Sequence, residues 1–516
     1  MTRFTPYNTF ICVIVALGSY GYGFGFGVFV SSVGQPGFFM DLGLDQTSDY
    51  TARVMGATFS LFAFGAALGG ITQGWTADWI GRKKTLAFAG ITSTVGAALV
   101  AGSVNVAMLV TTRILHGFGL GMILCLVPLY TTEIAPPKTR GIFSGMTVIG
   151  YGMGYLMVAW ISVATYYATN QTLQWRLPLA LAAVGPLGML VGLPFIPESP
   201  RYLCWIDRYE EAHQILQRLH RDPDDPGNSL AEAEFIQIKQ QVQFDRQEKA
   251  GYVQMFKKPS WRKRSILVMF LLFASQSTGV TGISNYLVPI LTNLGFEGGF
   301  PLIIYAIYST VGTFFVFVVT FTVDRVGRRR MFLCCYPLLA VVLLIEGLLQ
   351  RQYLGTSNRA GNIACVVMMN IYIMVFQLAD SPTIIWASEV LPTTIRAKGI
   401  GLAIFSMMSG FITFSAPGGL AFKNLQWGMF LIFAGLCVIS AIIIYIWASS
   451  PSRHKFLLAS CTAIPETKGL PVEEIGDLFG DPVVVHLTQD EHGIVAEKAD
   501  VPSVEHTEVV MEASKA

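Results

Sequence analysis

The sequence predicts an all-α membrane protein with twelve transmembrane helices arranged as two six-helix repeats. Three observations predict it. The 516-residue chain is 53% hydrophobic and only 13% charged, too little charge to cover a soluble protein of this size. Its apolar stretches recur at lengths of about 20 residues, enough to cross a hydrocarbon core. A short motif also occurs twice, as Gly74-Trp75-Thr76-Ala77-Asp78-Trp79-Ile80-Gly81-Arg82-Lys83-Lys84 and as Asp324-Arg325-Val326-Gly327-Arg328-Arg329-Arg330. In each copy an Asp is followed three residues later by Gly and then by three basic residues. Gly permits a tight turn between two apolar segments, and the cations hold that turn on the cytoplasmic side.

Two further features repeat in the same order. Glu133 precedes Arg140, and Glu389 precedes Arg396. Pro197-Glu198-Ser199-Pro200-Arg201 is echoed by Pro465-Glu466-Thr467-Lys468-Gly469. Three pairs in one order indicate a duplicated unit. Parallel six-helix repeats place a binding site between the halves near the midplane.

Spans are expected at 7–30, 52–75, 84–103, 107–130, 140–164 and 175–196 in the first half (1–196). The second half (263–450) carries them at 263–293, 300–322, 329–350, 360–386, 396–420 and 426–449. An even number puts both termini in the cytoplasm. Arg82, Lys83 and Lys84 inside, with Asp41, Asp45 and Asp49 outside, agree with that orientation. The N-terminus lacks a cleavable signal pattern, so span 1 is expected to remain as an anchor. Asn170-Gln171-Thr172 is a glycosylation sequon in the outer loop after span 5.

Residues 197–262 form a cytoplasmic linker in which Tyr209, Ala212, Ile215, Leu216 and Leu219 share one helical face. Lys257, Lys258, Arg262, Lys263 and Arg264 then anchor the start of span 7. Residues 451–516 read as a cytoplasmic tail, mostly disordered, because the stretch from 470 is acidic and poor in aromatics. The net charge of +2 argues against a nucleic-acid partner. The eight Cys are scattered, mostly within apolar segments, as small fillers rather than disulfides or metal ligands. No catalytic triad, phosphate loop or metal cluster is visible, so no enzyme and no cofactor are expected.

With Gln276-Ser277-Thr278-Gly279, these motifs resemble the major facilitator superfamily and, within it, the sugar porters (sugar transporters) of fungal type, over residues 7–470. The resemblance implies the major facilitator fold and a monomeric carrier in the cell membrane, working by alternating access. The turn residues Asp78, Arg82, Asp324 and Arg328, with the pairs Glu133/Arg140 and Glu389/Arg396, would lock the cytoplasmic side in the outward-open state. In the family, amides on spans 5, 7 and 11 hydrogen-bond a sugar, and a Trp on span 10 packs on its ring. Position by position, Gln276 matches the first Gln of span 7, Ser277 replaces the second, Gly282 replaces an Asn, and Tyr286 is kept. The span 5 positions are Val148 and Tyr155. The Trp position is Ile384, and the span 11 positions are Met407, Met408 and Phe411.

Amides have thus become apolar or smaller groups. An unmet buried partner costs about 1–3 kcal/mol, so a less hydroxylated solute is expected, such as a metabolite or an organic acid. A hexose or polyol carrier, by facilitation or proton symport, is the alternative. A transporter-like nutrient sensor is a rival of another class. Proton-coupled members carry an Asp on span 1, where this chain has Gly25, while its partner is retained as Arg113. His116 and Asp380 are the other titratable candidates for coupling at membrane depth, and Glu346 is expected near the outer interface, solvated. The balance favours facilitation.

Overall fold

The computed structural model describes residues 6–46, 48–135, 140–219, 229–247, 251–356, 358–392, 394–449, 479, 485–490 and 493–498. Its membrane domain is helical. The first half contributes span 1 (Pro6–Val33), span 2 (Asp49–Ile80), span 3 (Arg82–Ala101), span 4 (Val106–Ile134), span 5 (Arg140–Tyr166) and span 6, built from Gln171–Leu181, Val184–Gly192 and Leu193–Phe195. The second half contributes span 7, in the pieces Pro259–Ser277, Val280–Asn285 and Leu287–Asn293, then span 8 (Phe300–Val326), span 9 (Arg328–Tyr353), span 10 (Arg359–Val390), span 11 (Arg396–Ser415) and span 12 (Gly428–Ser449).

Among the described residues, eleven segments are individually long and apolar enough to cross a membrane. Span 7 completes the twelve, and it is broken for a local reason. Gly279 has φ +92°, a left-handed conformation that stops the first piece, and Tyr286 at φ −110° and ψ 14° ends the second. The duplicated turns fold alike: Gly81 and Gly327 both have φ +93°, which only Gly adopts readily. Polar caps start other spans. Ser48 Oγ accepts from Tyr50 N–H, Asn105 Oδ1 from Met108 N–H, and Asn358 Oδ1 from Gly361 N–H.

Spans 1, 2 and 4 bury 72% of their apolar windows inside the protein, against 44% for span 3 and 39% for spans 6 and 12. Spans 1, 2 and 4 are thus the most enclosed of the searched spans, and spans 6 and 12 the least. Exposed apolar side chains such as Phe314, Phe321, Val341, Ile439 and Ile446 form the face that lipid would cover.

The linker is helical, with Pro200–Trp205, Tyr209–Leu219, Ser229–Gln247 and Tyr252–Lys257. Ala212, Leu216 and Leu219 are buried, as the amphipathic pattern requires. Arg246 donates to Asp207 at 2.9 Å and holds that carboxyl below the usual range. Glu346 departs from expectation. It is buried on span 9 rather than solvated, accepting from Gln350 Nε2 at 2.7 Å, because its face of the helix turns toward the protein. The segment 451–463 and Pro465–Gly469 lie outside the described residues, as does most of the expected disordered tail. Within that tail an antiparallel hairpin pairs Val485–Asp490 with Gly493–Lys498, and Phe479 lies under the Arg264 guanidinium at 4.5 Å.

Candidate functional site

Helices of both halves enclose a cavity of about 140 Å³. From the first half, Tyr22, Phe26 and Val30 of span 1, Leu124 of span 4, and Tyr151, Gly152 and Tyr155 of span 5 line it. The second half supplies most of the polarity: Gln276, Thr281, Ser284 and Asn285 on span 7, Tyr305, Tyr308, Ser309 and Thr313 on span 8, and Gln377 and Asp380 on span 10. Ile384, Met407 and Met408 complete the wall.

Six residues singled out from the sequence therefore meet here: Gln276, Tyr155, Ile384, Met407, Met408 and Asp380. Three proposed binding residues do not line it. Val148 is buried on the Tyr155 face but two turns away. Ser277 sits about 100° round the helix from Gln276 and back-bonds to Ala274 O. Tyr286, beyond the break in span 7, donates to Ser415 O at 2.9 Å and packs on Phe59 instead.

The sequence reading missed the tyrosines Tyr22, Tyr151, Tyr305 and Tyr308, together with Asn285 and Gln377. A signal was present. Tyr305, Tyr308, Ser309, Gly312, Thr313 and Val316 recur at the spacing of one helical face. Likewise Ile373, Gln377, Asp380 and Ile384 form a single stripe on span 10.

The halves touch on both sides of this cavity. At the end that carries the duplicated basic turns, Lys398 Nζ donates to Asp78 Oδ2 at 2.7 Å, and Tyr252 Oη of the linker donates to Ile71 O of the first half at 2.8 Å. At the far end, Lys423 pairs with Asp49 at 2.5 Å and Trp160 Nε1 donates to Thr310 Oγ1 at 3.0 Å. Contacts between the halves thus hold both ends.

The motif ion pairs mostly lie within one half. Arg82 donates to both oxygens of Glu133 at 3.0 Å, and Ser199 Oγ donates to Glu133 Oε2 at 2.6 Å. Glu198 accepts from the backbone N–H of Arg82 and Lys83, capping span 3. Its own burial raises its pKa, against these donors and the Arg82 charge. In the second half, Arg328 pairs with Glu389 at 2.7 Å. Arg396 Nε donates to Leu391 O. The side chains of Arg140 and Asp324 lie outside the described residues.

Arg82 and Arg328 thus pair with the glutamates, and at the basic end Asp78–Lys398 links the halves, with Lys398 missed from the sequence. Asp78 is partly exposed (36% of its side chain), so this link is worth at most about 1 kcal/mol. Lys398→Ala is expected to favour opening of the basic end about fivefold. A cavity cysteine becoming faster to label from that side checks this, and an unchanged rate refutes it.

The coupling candidates Arg113 and His116 lie apart from the cavity lining. Both are 1% exposed. Arg113 donates to Gly25 O at 3.3 Å and stacks against Phe29 and Phe62, at 4.7 and 5.3 Å from the ring centroids. Neither ring nitrogen of His116 has a hydrogen-bond partner among the described residues. A Cβ on Gly25 would fall 3.0 Å from His116 Nε2 and 2.5 Å from Leu120 Cδ1. His116 thus occupies the space that a side chain at position 25 would need. Asn170 is exposed and caps the start of span 6 through Thr172 N–H. Among the described residues no cluster of His, Cys, Asp or Glu could hold a metal.

Known proteins bear on this geometry. The MFS-type transporter criB of Aspergillus cristatus is 30% identical over 460 residues, covering 88% of this chain and 90% of that protein. Myo-inositol transporter 2 of Schizosaccharomyces pombe is 28% identical, covering 85% and 76% respectively. Among solved structures, the proton:xylose symporter XylE bound to 6-bromo-6-deoxy-D-glucose matches with a TM-score of 0.75 at 22% identity, over 92% of this chain and all of that one; this likeness establishes the major facilitator fold. The sequence matches the sugar (and other) transporters over residues 11–479, and the chain belongs to that family of multi-pass membrane transporters rather than to any class of enzyme.

Proposed function

We propose that this carrier moves a small organic solute with few hydroxyls and an apolar or aromatic face, by alternating access through the central cavity. The observation that carries this reading is the wall made by Phe26, Phe376, Ile384, Met407 and Met408 around the tyrosines, with only Gln276, Asn285 and Gln377 as amides. A solute rich in hydroxyls needs more convergent donors and acceptors than these. Organic acids fit less well than the sequence suggested. The lining contains the Asp380 carboxylate and no Lys or Arg, so an anion would meet repulsion without a compensating cation.

The three amides favour a hexose or polyol as the second reading, in keeping with the relative named for myo-inositol. Purified protein in liposomes, given a solute panel, tests the choice. Glucose is expected to bind no tighter than about 1 mM, or about −4 kcal/mol. Micromolar glucose binding would reverse the assignment.

The same reading places the protein in the cell membrane as a monomer, with the basic end and both termini in the cytoplasm. It also makes the transport facilitative. Gly25 supplies no carboxylate to Arg113, and His116 fills the space beside it. With the membrane potential clamped at zero, an inward proton gradient is expected to leave solute only equilibrated. Uphill uptake that Asp380→Asn abolishes, while exchange persists, would instead make Asp380 a proton carrier.

A further inference from the structure

We propose that the cavity selects a protonated amine: a solute with one ammonium group on an aromatic or apolar body. This rests on the carrier reading above and names the charge of its solute.

The polar face of span 10 is the starting point. Asp380 is half-buried and opens onto the cavity, and its one described hydrogen-bond partner is the neutral Ser275 hydroxyl. No Lys, Arg or His lines the cavity. One turn earlier, Gln377 presents an Oε1 that is buried and has no hydrogen-bond partner. The two side chains therefore offer acceptors on one helical stripe with no donor cation to meet them. A carboxylate at membrane depth without a counter-charge is costly, and marks a functional site by default. An ammonium group answers both needs, giving a positive charge to Asp380 and an N–H to Gln377.

The rest of the wall favours the same chemistry. Tyr22, Tyr151, Tyr155, Tyr305 and Tyr308, with Phe26 and Phe376, surround the space. Aromatic ring faces attract cations and accept apolar bodies. A hard metal cation would instead require six or more oxygen ligands at short range. An anion meets the Asp380 charge and no Lys, Arg or His to offset it. The site's one charged group thus acts as a selectivity element, attractive to cations and repulsive to acids.

Three probes share a phenyl body and differ in charge: phenethylammonium, 2-phenylethanol and phenylacetate. Calorimetric titration of the purified full chain in detergent at pH 7 reads their binding directly, which avoids passive permeation. Phenethylammonium is expected to bind at least about tenfold tighter than 2-phenylethanol, with phenylacetate weakest. Asp380→Asn is expected to bring cation and alcohol within about twofold of each other. Should that variant not fold, Phe376→Leu keeps the charge and removes a ring face. It is expected to weaken phenethylammonium at least about threefold more than the alcohol, and equal losses for the two would overturn the inference. Equal affinities in the wild type, or a cation preference that survives Asp380→Asn, would overturn the inference while leaving the carrier reading intact. If none of the three binds and glucose or myo-inositol does, both the inference and the apolar-solute reading fall.

Discussion

Replacing Arg82 by alanine is expected to cost the folded carrier about 3–5 kcal/mol, the usual loss when one partner of a buried ion pair is removed. The Arg82 and Glu133 side chains are only 8% and 7% exposed, and the pair is bidentate. Without Arg82, Glu133 keeps a buried charge with the Ser199 hydroxyl as its remaining described donor. Arg82 also donates to Ala77 O at the end of span 2, so spans 2 and 4 lose a shared anchor. The equivalent change in the second half should be milder, because Glu389 is 24% exposed and water can take up part of its charge. Arg82→Met combined with Glu133→Leu is expected to recover most of the stability, since no unpaired charge is then left buried. Thermal unfolding of the purified variants checks the order. The account fails if Arg82→Ala is no less stable than Arg328→Ala, or if the double variant is worse than the single. Because the pair lies within one half, solute affinity of the surviving folded Arg82→Ala protein should stay within about twofold of wild type.

The location of that pair shows what the sequence could and could not reveal. The spans were legible because lipid demands long apolar helices, and the turns because Gly81 and Gly327 must adopt positive φ. Counting along an unbroken helix also worked. Tyr155, Ile384, Met407 and Met408 were placed from motif anchors and do line the cavity. Counting failed where the backbone leaves the helix. Gly279 and the irregular Tyr286 reset the rotation of span 7, so Tyr286 turns to Ser415 while Asn285 faces the cavity. Depth failed separately from register, since Val148 lies on the right face but below the site. Partner identity was the least legible. Beside the Arg seven residues after each Glu, the structure brings Glu133 and Glu389 cations from turns 51 and 61 residues away in sequence. Such contacts depend on how helices cross, which no periodicity records. His116 beside Gly25 is similar: each substitution looks isolated in sequence, and the structure shows one filling the space beside the other.

Trp placed at Gly56 and Trp placed at Gly401 are expected to stop transport in opposite states. Both residues lie where spans 2 and 11, from different halves, press backbone on backbone. At position 56, near the far end of span 2, even a Cβ would fall 2.4 Å from Ala416 O. At position 401, near the basic end of span 11, it would fall 2.5 Å from Gly70 O. Neither obstacle is a side chain that could swing aside, so an indole at either site forces the helices apart at that end. Shifting a two-state balance from 1:99 to 99:1 takes about 5.5 kcal/mol, and a backbone overlap of this size is expected to exceed it. Gly56→Trp should therefore hold the far end open and Gly401→Trp the basic end. Flux is expected to fall by about a hundredfold or more in each, because alternation needs both closures. Solute binding should persist from the open side, since neither glycine lines the cavity. Ile384→Cys in a cysteine-free background reports the state through an impermeant thiol reagent added to either face of oriented vesicles. Gly56→Trp should label from the far side and Gly401→Trp from the basic side. Labelling from the same side in both variants, or flux near the wild-type rate in either, would show that these two contacts do not gate the cavity.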